Sequence, residues 1–212
     1  MTTTLKIDFV SDVSCPWCAI GLKSLEQALA GLDGQIAVKI HFQPFELNPQ
    51  MGSAGQDIAE HLGEKYGLGE AQLAQNREVI RQRGAEVGFA FGIRNRIYNT
   101  FDAHRLLHWA GLEGRQLELK HALFKAYFTD GEDPSDHSVL QRLVVETGLD
   151  TARAAAILAG DEFADEVRAQ ERFFQQNGIH SVPAVIINDR HLISGGQPPA
   201  VFGKALQEIL AA

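Results

Sequence analysis

The chain has 212 residues, long enough to bury a sizeable core without disulfide or metal staples. Apolar residues make up 45% and charged residues 22%, as in globular proteins, and the net charge of −8 argues against a nucleic-acid-binding surface. No apolar run approaches the roughly 18 residues that span a bilayer, and MTTTLKIDFV lacks the basic start and long apolar stretch of a secretory leader, so a cytoplasmic protein without a membrane partner is expected.

Leu5 to Val10 alternates, with Leu5, Ile7 and Phe9 against Lys6 and Asp8, as a half-buried strand does. After a short turn come Cys15 and Pro16. Ile20, Leu22, Leu25, Leu29 and Leu32 then recur at helical spacing, and Gly31 and Gly34 mark the helix end. Ile36, Val38, Ile40 and Phe42 alternate again. Strand, helix and strand in this order predict a right-handed parallel crossover, with the cysteines where the first strand turns into the helix. Pro44, Pro49, Gly52, Ser53 and Gly55 form a loop.

From about residue 56 to 176 the pattern is helical, with Val139, Leu140, Leu143 and Val144 on one helix face. Ala184 to Ile187 is a continuous apolar run, as in a strand buried on both faces. Asn188, Asp189 and Arg190 are turn material, and His191 to Ser194 pairs back as a hairpin. Val201, Phe202, Ala205, Leu206, Ile209 and Leu210 form the apolar face of a last helix. The fold class predicted is α/β. Residues 1–48 and 177–212 form a split sheet domain, interrupted by a helical insertion over 49–176. Two unrelated domains are the alternative, but neither sheet half has enough strands to stand alone.

The only two cysteines lie in CPWC, and three uses compete: a metal clip, a reversible disulfide, or an inert pair. Two thiols cannot complete a zinc site. His104 and His108 are one helical turn apart, but HRLLH lacks the glutamate of the zinc-protease pattern, so no metal is expected. At a helix entrance, unpaired N–H groups and the positive end of the dipole stabilise a thiolate. Cys15 is therefore expected to attack and the more buried Cys18 to resolve the mixed disulfide. Pro16 suits a first helical turn, and Trp17 offers the reactive sulfur an apolar face without positive charge.

Pro183 stands before the buried strand, where a proline can start a strand. A cis Val182–Pro183 bond would turn the backbone of Val182 toward the cleft. Asp12, three residues before Cys15, either accepts or relays a proton from the pair, or else caps a helix or faces water. Asn99 and His104, in YNTFDAH, either line the cleft from the insertion or serve the helix itself. Phe45, Phe91, Phe101 and Trp109 are expected in the core rather than as a substrate platform.

The phrases VSDVSCPWCAIG, FQPFELNP, YNTFDAHRLLHWA and GIHSVPAVIINDRHLISGGQP resemble the thioredoxin superfamily, and within it the DsbA-like proteins of the FrnE type. The resemblance implies a thioredoxin-like fold with a large all-helical insertion acting as a lid, and thiol–disulfide oxidoreductase activity of Cys15 and Cys18. It also implies a cis bond at Pro183 that helps dock substrate backbone. No organic cofactor is then needed. Protein or small-molecule disulfides and thiols are the expected partners, with glutathione a candidate co-substrate, for a monomer or homodimer. Two rivals stand beside this reading. One is a glutathione-dependent isomerase or transferase resembling the kappa class, whose members generally carry serine at this site without a resolving cysteine. The other is a chaperone or binding module regulated by its disulfide.

Overall fold

The computed structural model describes residues 3–32 and 36–211, so Gly34, expected at a helix end, lies outside the described residues. In chain order the first unit is strand β1 (Thr3–Ser11), helix α1 (Pro16–Ala30) and strand β2 (Ile36–Pro44). Next come a two-residue strand β3 (Gln56–Asp57), helices α2 (Ile58–Tyr66) and α3 (Glu70–Glu86), and a second short strand β4 (Arg96–Ile97). Helices α4 (Phe101–Leu112) and α5 (Gln116–Phe124) follow, the latter running into a π-helical turn at Lys125–Thr129. After α6 (His137–Glu146), α7 (Thr151–Ala159) and α8 (Ala164–Gln176), the chain ends in β5 (Ala184–Ile187), β6 (His191–Ser194) and α9 (Pro199–Ala211).

The main sheet has the order β2-β1-β5-β6. β1 pairs parallel with β2, Leu5 opposite Val38 and Phe9 opposite Phe42, as the crossover through α1 requires. On its other side β1 pairs antiparallel with β5, Phe9 opposite Val185. The β5–β6 hairpin turns through Asn188 and Asp189, at φ 52° and 56°. Asn and Asp tolerate that left-handed backbone better than most residues. The insertion is helical except for the antiparallel pairing of β3 with β4. None of the described helices is long and apolar enough to cross a membrane.

The alternation read in β1 buries Leu5, Ile7 and Phe9 in the largest apolar cluster, with Cys18, Leu22 and Leu25 of α1 and Phe202 and Leu206 of α9. Val201 is 43% exposed and does not belong to the buried face of α9. Phe124, Tyr127 and Phe128 enter the same cluster from the insertion, so insertion and sheet share one core. Burying each such side chain contributes about 2 kcal/mol. A second cluster gathers Leu106, Leu119, Leu140, Leu143 and Ile157 between the insertion helices. On the other face of the sheet, Val10, Phe45 and Ala184 pack with Phe174 and Ile179. α8 thus lies against the sheet although it precedes the expected boundary at 176.

Candidate active site

α1 begins where β1 ends. Cys15 is its N-cap residue in extended backbone (φ −91°, ψ 111°), Pro16 opens the helix, and no acidic residue in the first turn offsets the dipole. Cys15 N–H donates to Asp12 O at 3.3 Å, and Cys18 N–H to Cys15 O at 3.0 Å, which fixes the turn joining the two thiols. Both cysteines are free thiols. Cys15 retains 3% exposure and Cys18 none. Burial pushes the Cys18 thiol well above its ordinary range, and its contact with Cys15 adds to this; Lys120 and the Asp12 backbone pull the other way.

The Val182–Pro183 bond is cis, as expected from the sequence. The two motifs meet here: Cys15 Sγ donates to Val182 O at 3.7 Å across 167 residues. Trp17 is half-buried against the main core. The turn after β6 comes close to α1 on this side. A Cβ on Gly196 would lie 2.8 Å from Trp17 O, so only glycine fits there without a shift, and one on Gly21 would lie 3.1 Å from Pro183 Cγ.

Asp12 is buried behind the pair. Its carboxylate accepts hydrogen bonds from Ser14 N–H (3.2 Å), Ser14 Oγ (2.8 Å), Leu47 N–H (2.7 Å) and Thr100 Oγ1 (2.8 Å). Burial alone would raise its pKa. His104, the Leu47 N–H and Thr100 outweigh burial and hold it at about 2. Asp12 is thus an ionised anchor that ties the CPWC turn to the insertion, and its contact with the cysteines runs through its backbone.

His104, 3% exposed, has Nε2 at 3.4 Å from Asp12 Oδ1, within ion-pair range but without hydrogen-bond alignment. His108 turns away to pack on Phe163, ring centroids 5.1 Å apart. Asn99 spends both amide atoms on backbone: Nδ2 donates to Met51 O, and Oδ1 accepts from Phe101 N–H. Phe45 and Trp109 are buried as expected, Phe91 packs against the main core, and Phe101 lies under the Arg168 guanidinium at 3.8 Å.

Ser14, Leu47, Thr100 and Lys120 were not singled out in the sequence. Lys120 is the notable one: a fully buried lysine on the face of α5 that also carries Leu119, Leu123 and Phe124. Its place at apolar helical spacing is a signal that could have found it. A cavity of about 580 Å³ lies elsewhere, between α2, α3 and residues 91–95, and none of the CPWC residues lines it.

The family described as DSBA-like thioredoxin domain matches residues 6–207. A solved structure, that of a probable DsbA oxidoreductase from Streptomyces coelicolor, is 34% identical with a TM-score of 0.92, covering 98% of this chain and 90% of that one. The uncharacterized protein YwbO of Bacillus subtilis is 28% identical over 206 residues, 97% of each chain. The cytosolic disulfide reductase DsbM from Pseudomonas aeruginosa, solved with GSH, is alike in fold: 17% identity, TM-score 0.66, 98% of this chain and all of that one.

Proposed function

The chain belongs to the family of DSBA-like thioredoxin domains, and from that premise we propose that it exchanges thiols and disulfides through Cys15 and Cys18. The observation that carries this reading is the asymmetry of the pair. Cys15 sits at the positive end of α1 beside Val182 O, whereas Cys18 is sealed in the core with its thiol pushed up. In the reducing direction, the Cys15 thiolate attacks one sulfur of a substrate disulfide, a mixed disulfide forms, and the other substrate sulfur leaves and takes up a proton. Cys18 then loses its proton and its sulfur bonds to Cys15 Sγ, and the attacked substrate sulfur leaves as the second thiol. The oxidising direction runs the same steps backward.

Val182 and Pro183 would hold substrate backbone against Cys15, with Pro16 and Trp17 forming the rim. Substrates are protein or small-molecule disulfides, with glutathione as a co-substrate thiol and no organic cofactor. Retention of Cys18 favours exchange over isomerase or transferase chemistry, which needs no resolving thiol.

The test is paired substitution. Cys15→Ser is expected to abolish disulfide turnover, and Cys18→Ser to accumulate a mixed disulfide at Cys15 visible by mass. Full turnover in Cys15→Ser would overturn the proposal. Equilibration of the pair in graded glutathione buffers then decides between oxidase and reductase.

A further inference from the structure

We infer that the cavity between α2, α3 and residues 91–95 is a binding site for a small amphipathic anion, a single carboxylate on an apolar chain. The inference does not depend on the exchange reading above. The cavity's volume of about 580 Å³ falls within the roughly 300–1,000 Å³ of sites that take small organic ligands. Ile58 and Leu62 of α2, Leu73 and Ile80 of α3, and Phe91 and Ile93 of the connector give it an apolar lining. The two helices put few apolar side chains to other use: α2 buries no residue, and α3 buries only Leu73 and Gly84.

The connector wall is fastened along its length. Thr129 Oγ1 donates to Ala90 O at 2.6 Å, Gly92 N–H to Phe128 O at 2.8 Å, and Ile58 N–H to Asn95 O at 2.9 Å. One end is thus tied to the π-helical turn and the other to the start of α2. A Cβ on Gly92 would run into Thr129 O, so the backbone seats there only as glycine. Ile93 stands 86% exposed on this backbone, at the lip of the cavity. A connector held at both ends cannot fold in over the cavity, so its apolar lining is left for a ligand to cover.

The charges around this lining select the kind of ligand. Arg81 is matched by Glu78, with Nε donating to Oε2 at 2.8 Å and Nη2 to Oε1 at 2.7 Å. Arg77 and Arg94 have no carboxylate in ion-pair range among the described residues. Arg77 Nε donates to Leu73 O at 3.4 Å, and Arg94 Nη1 to the Tyr127 hydroxyl at 2.9 Å. Leu73, Arg77 and Ile80 share one face of α3, so the cation lies within the apolar lining. Arg94 comes from the connector, its guanidinium over the Tyr127 and Phe128 rings at 5.1 and 5.0 Å. Asp57 is the opposing charge, and its Oδ1 is taken by the N–H groups of Ala59 and Glu60 at the start of α2. In a chain of net charge −8, two guanidiniums without carboxylates beside an apolar cavity match the two oxygens of one incoming carboxylate.

Isoleucine methyl NMR of the full chain, titrated with octanoate and with octanol, tests this. Ile58, Ile80 and Ile93 line the cavity, whereas Ile157 and Ile187 lie in other apolar clusters. Octanoate is expected to shift the first three saturably and together, leaving Ile157 and Ile187 unmoved. It should bind about tenfold more tightly than octanol, the low end for a hydrogen bond to a charged group. The double variant Arg77→Gln, Arg94→Gln keeps an amide donor for Tyr127. It should erase that preference while octanol binds as before. No saturable shift, shifts spread over all the isoleucines, or equal binding of octanoate and octanol would overturn the inference, and so would a preference that survives in the variant. Should the variant fail to fold, octylammonium decides on the wild-type chain. It must bind more weakly than octanol; equal or tighter binding would overturn the assignment to anions.

Discussion

Thr100 Oγ1 donates a 2.8 Å hydrogen bond to Asp12 Oδ1, joining the turn before Cys15 to the residue before α4 across 88 positions of sequence. Both residues are buried. Thr100→Val keeps the shape and removes the donor. It is expected to cost about 1–2 kcal/mol in urea unfolding and to raise the Asp12 pKa; an unchanged unfolding midpoint would contradict the geometry.

Asp12 itself makes stability depend on pH. Its folded pKa of about 2 lies below the ordinary 3.8. Its contribution is therefore complete above the ordinary value and is lost as pH falls through the folded one. The shift corresponds to about 2 kcal/mol. Asp12→Asn should lower stability at neutral pH by that order, and the acid loss between about 4 and 2 should be shallower in the variant. Parallel acid curves for the two proteins would contradict this.

The close approach at Gly196 yields a third expectation. Its Cβ would meet the Trp17 carbonyl, a backbone atom that cannot swing aside. Gly196→Ala should destabilise by about 1–3 kcal/mol, as overpacking does, and slow attack by Cys15, because the shift falls on the Trp17 backbone between the two cysteines. Thermal unfolding and the rate of mixed-disulfide formation measure the two effects separately.

Arg168 offers a fourth. Its Nη1 bonds both Glu46 and Glu171, which are 5% and 6% exposed and each keep one carboxylate oxygen without a partner among the described residues. Burial, with Glu171 beside it, pushes the Glu46 pKa up; His104 and Arg168 restrain it. Arg168→Met should cost about 2 kcal/mol at neutral pH, less than for a sealed pair because Arg168 is 35% exposed. The pKa of Glu46 then rises further. Stability should be regained below the ordinary carboxylate range and lost as pH rises through the raised value. A deficit independent of pH would contradict this account.

The sheet, the CPWC helix and the proline turn were legible because each is written locally. Leu5, Ile7 and Phe9 alternate, Pro16 follows Cys15 at a helix entrance, and Pro183 precedes an apolar run. Helix phase was legible to within a residue: Phe202 and Leu206 of α9 are buried, while Val201 beside them faces out. The support of the site was not legible. Thr100 and Leu47 reach Asp12 across 88 and 35 residues, and neither residue type carries a mark of that contact. Lys120 interrupts an apolar stripe, but a lone lysine reads as a solvated one unless its helix phase is followed. Asn99 lay in a telling phrase, yet its amide serves the backbone at the start of α4.

β1 has its parallel partner within the first 44 residues, but its antiparallel partner begins only at Ala184. During synthesis, the strand that leads to Cys15 must wait through the whole insertion with one edge unpaired. Only after Val182 to Ile187 have been made can that edge close and a backbone carbonyl reach the Cys15 sulfur. The Cys15 thiol is made long before the residues that complete its surroundings.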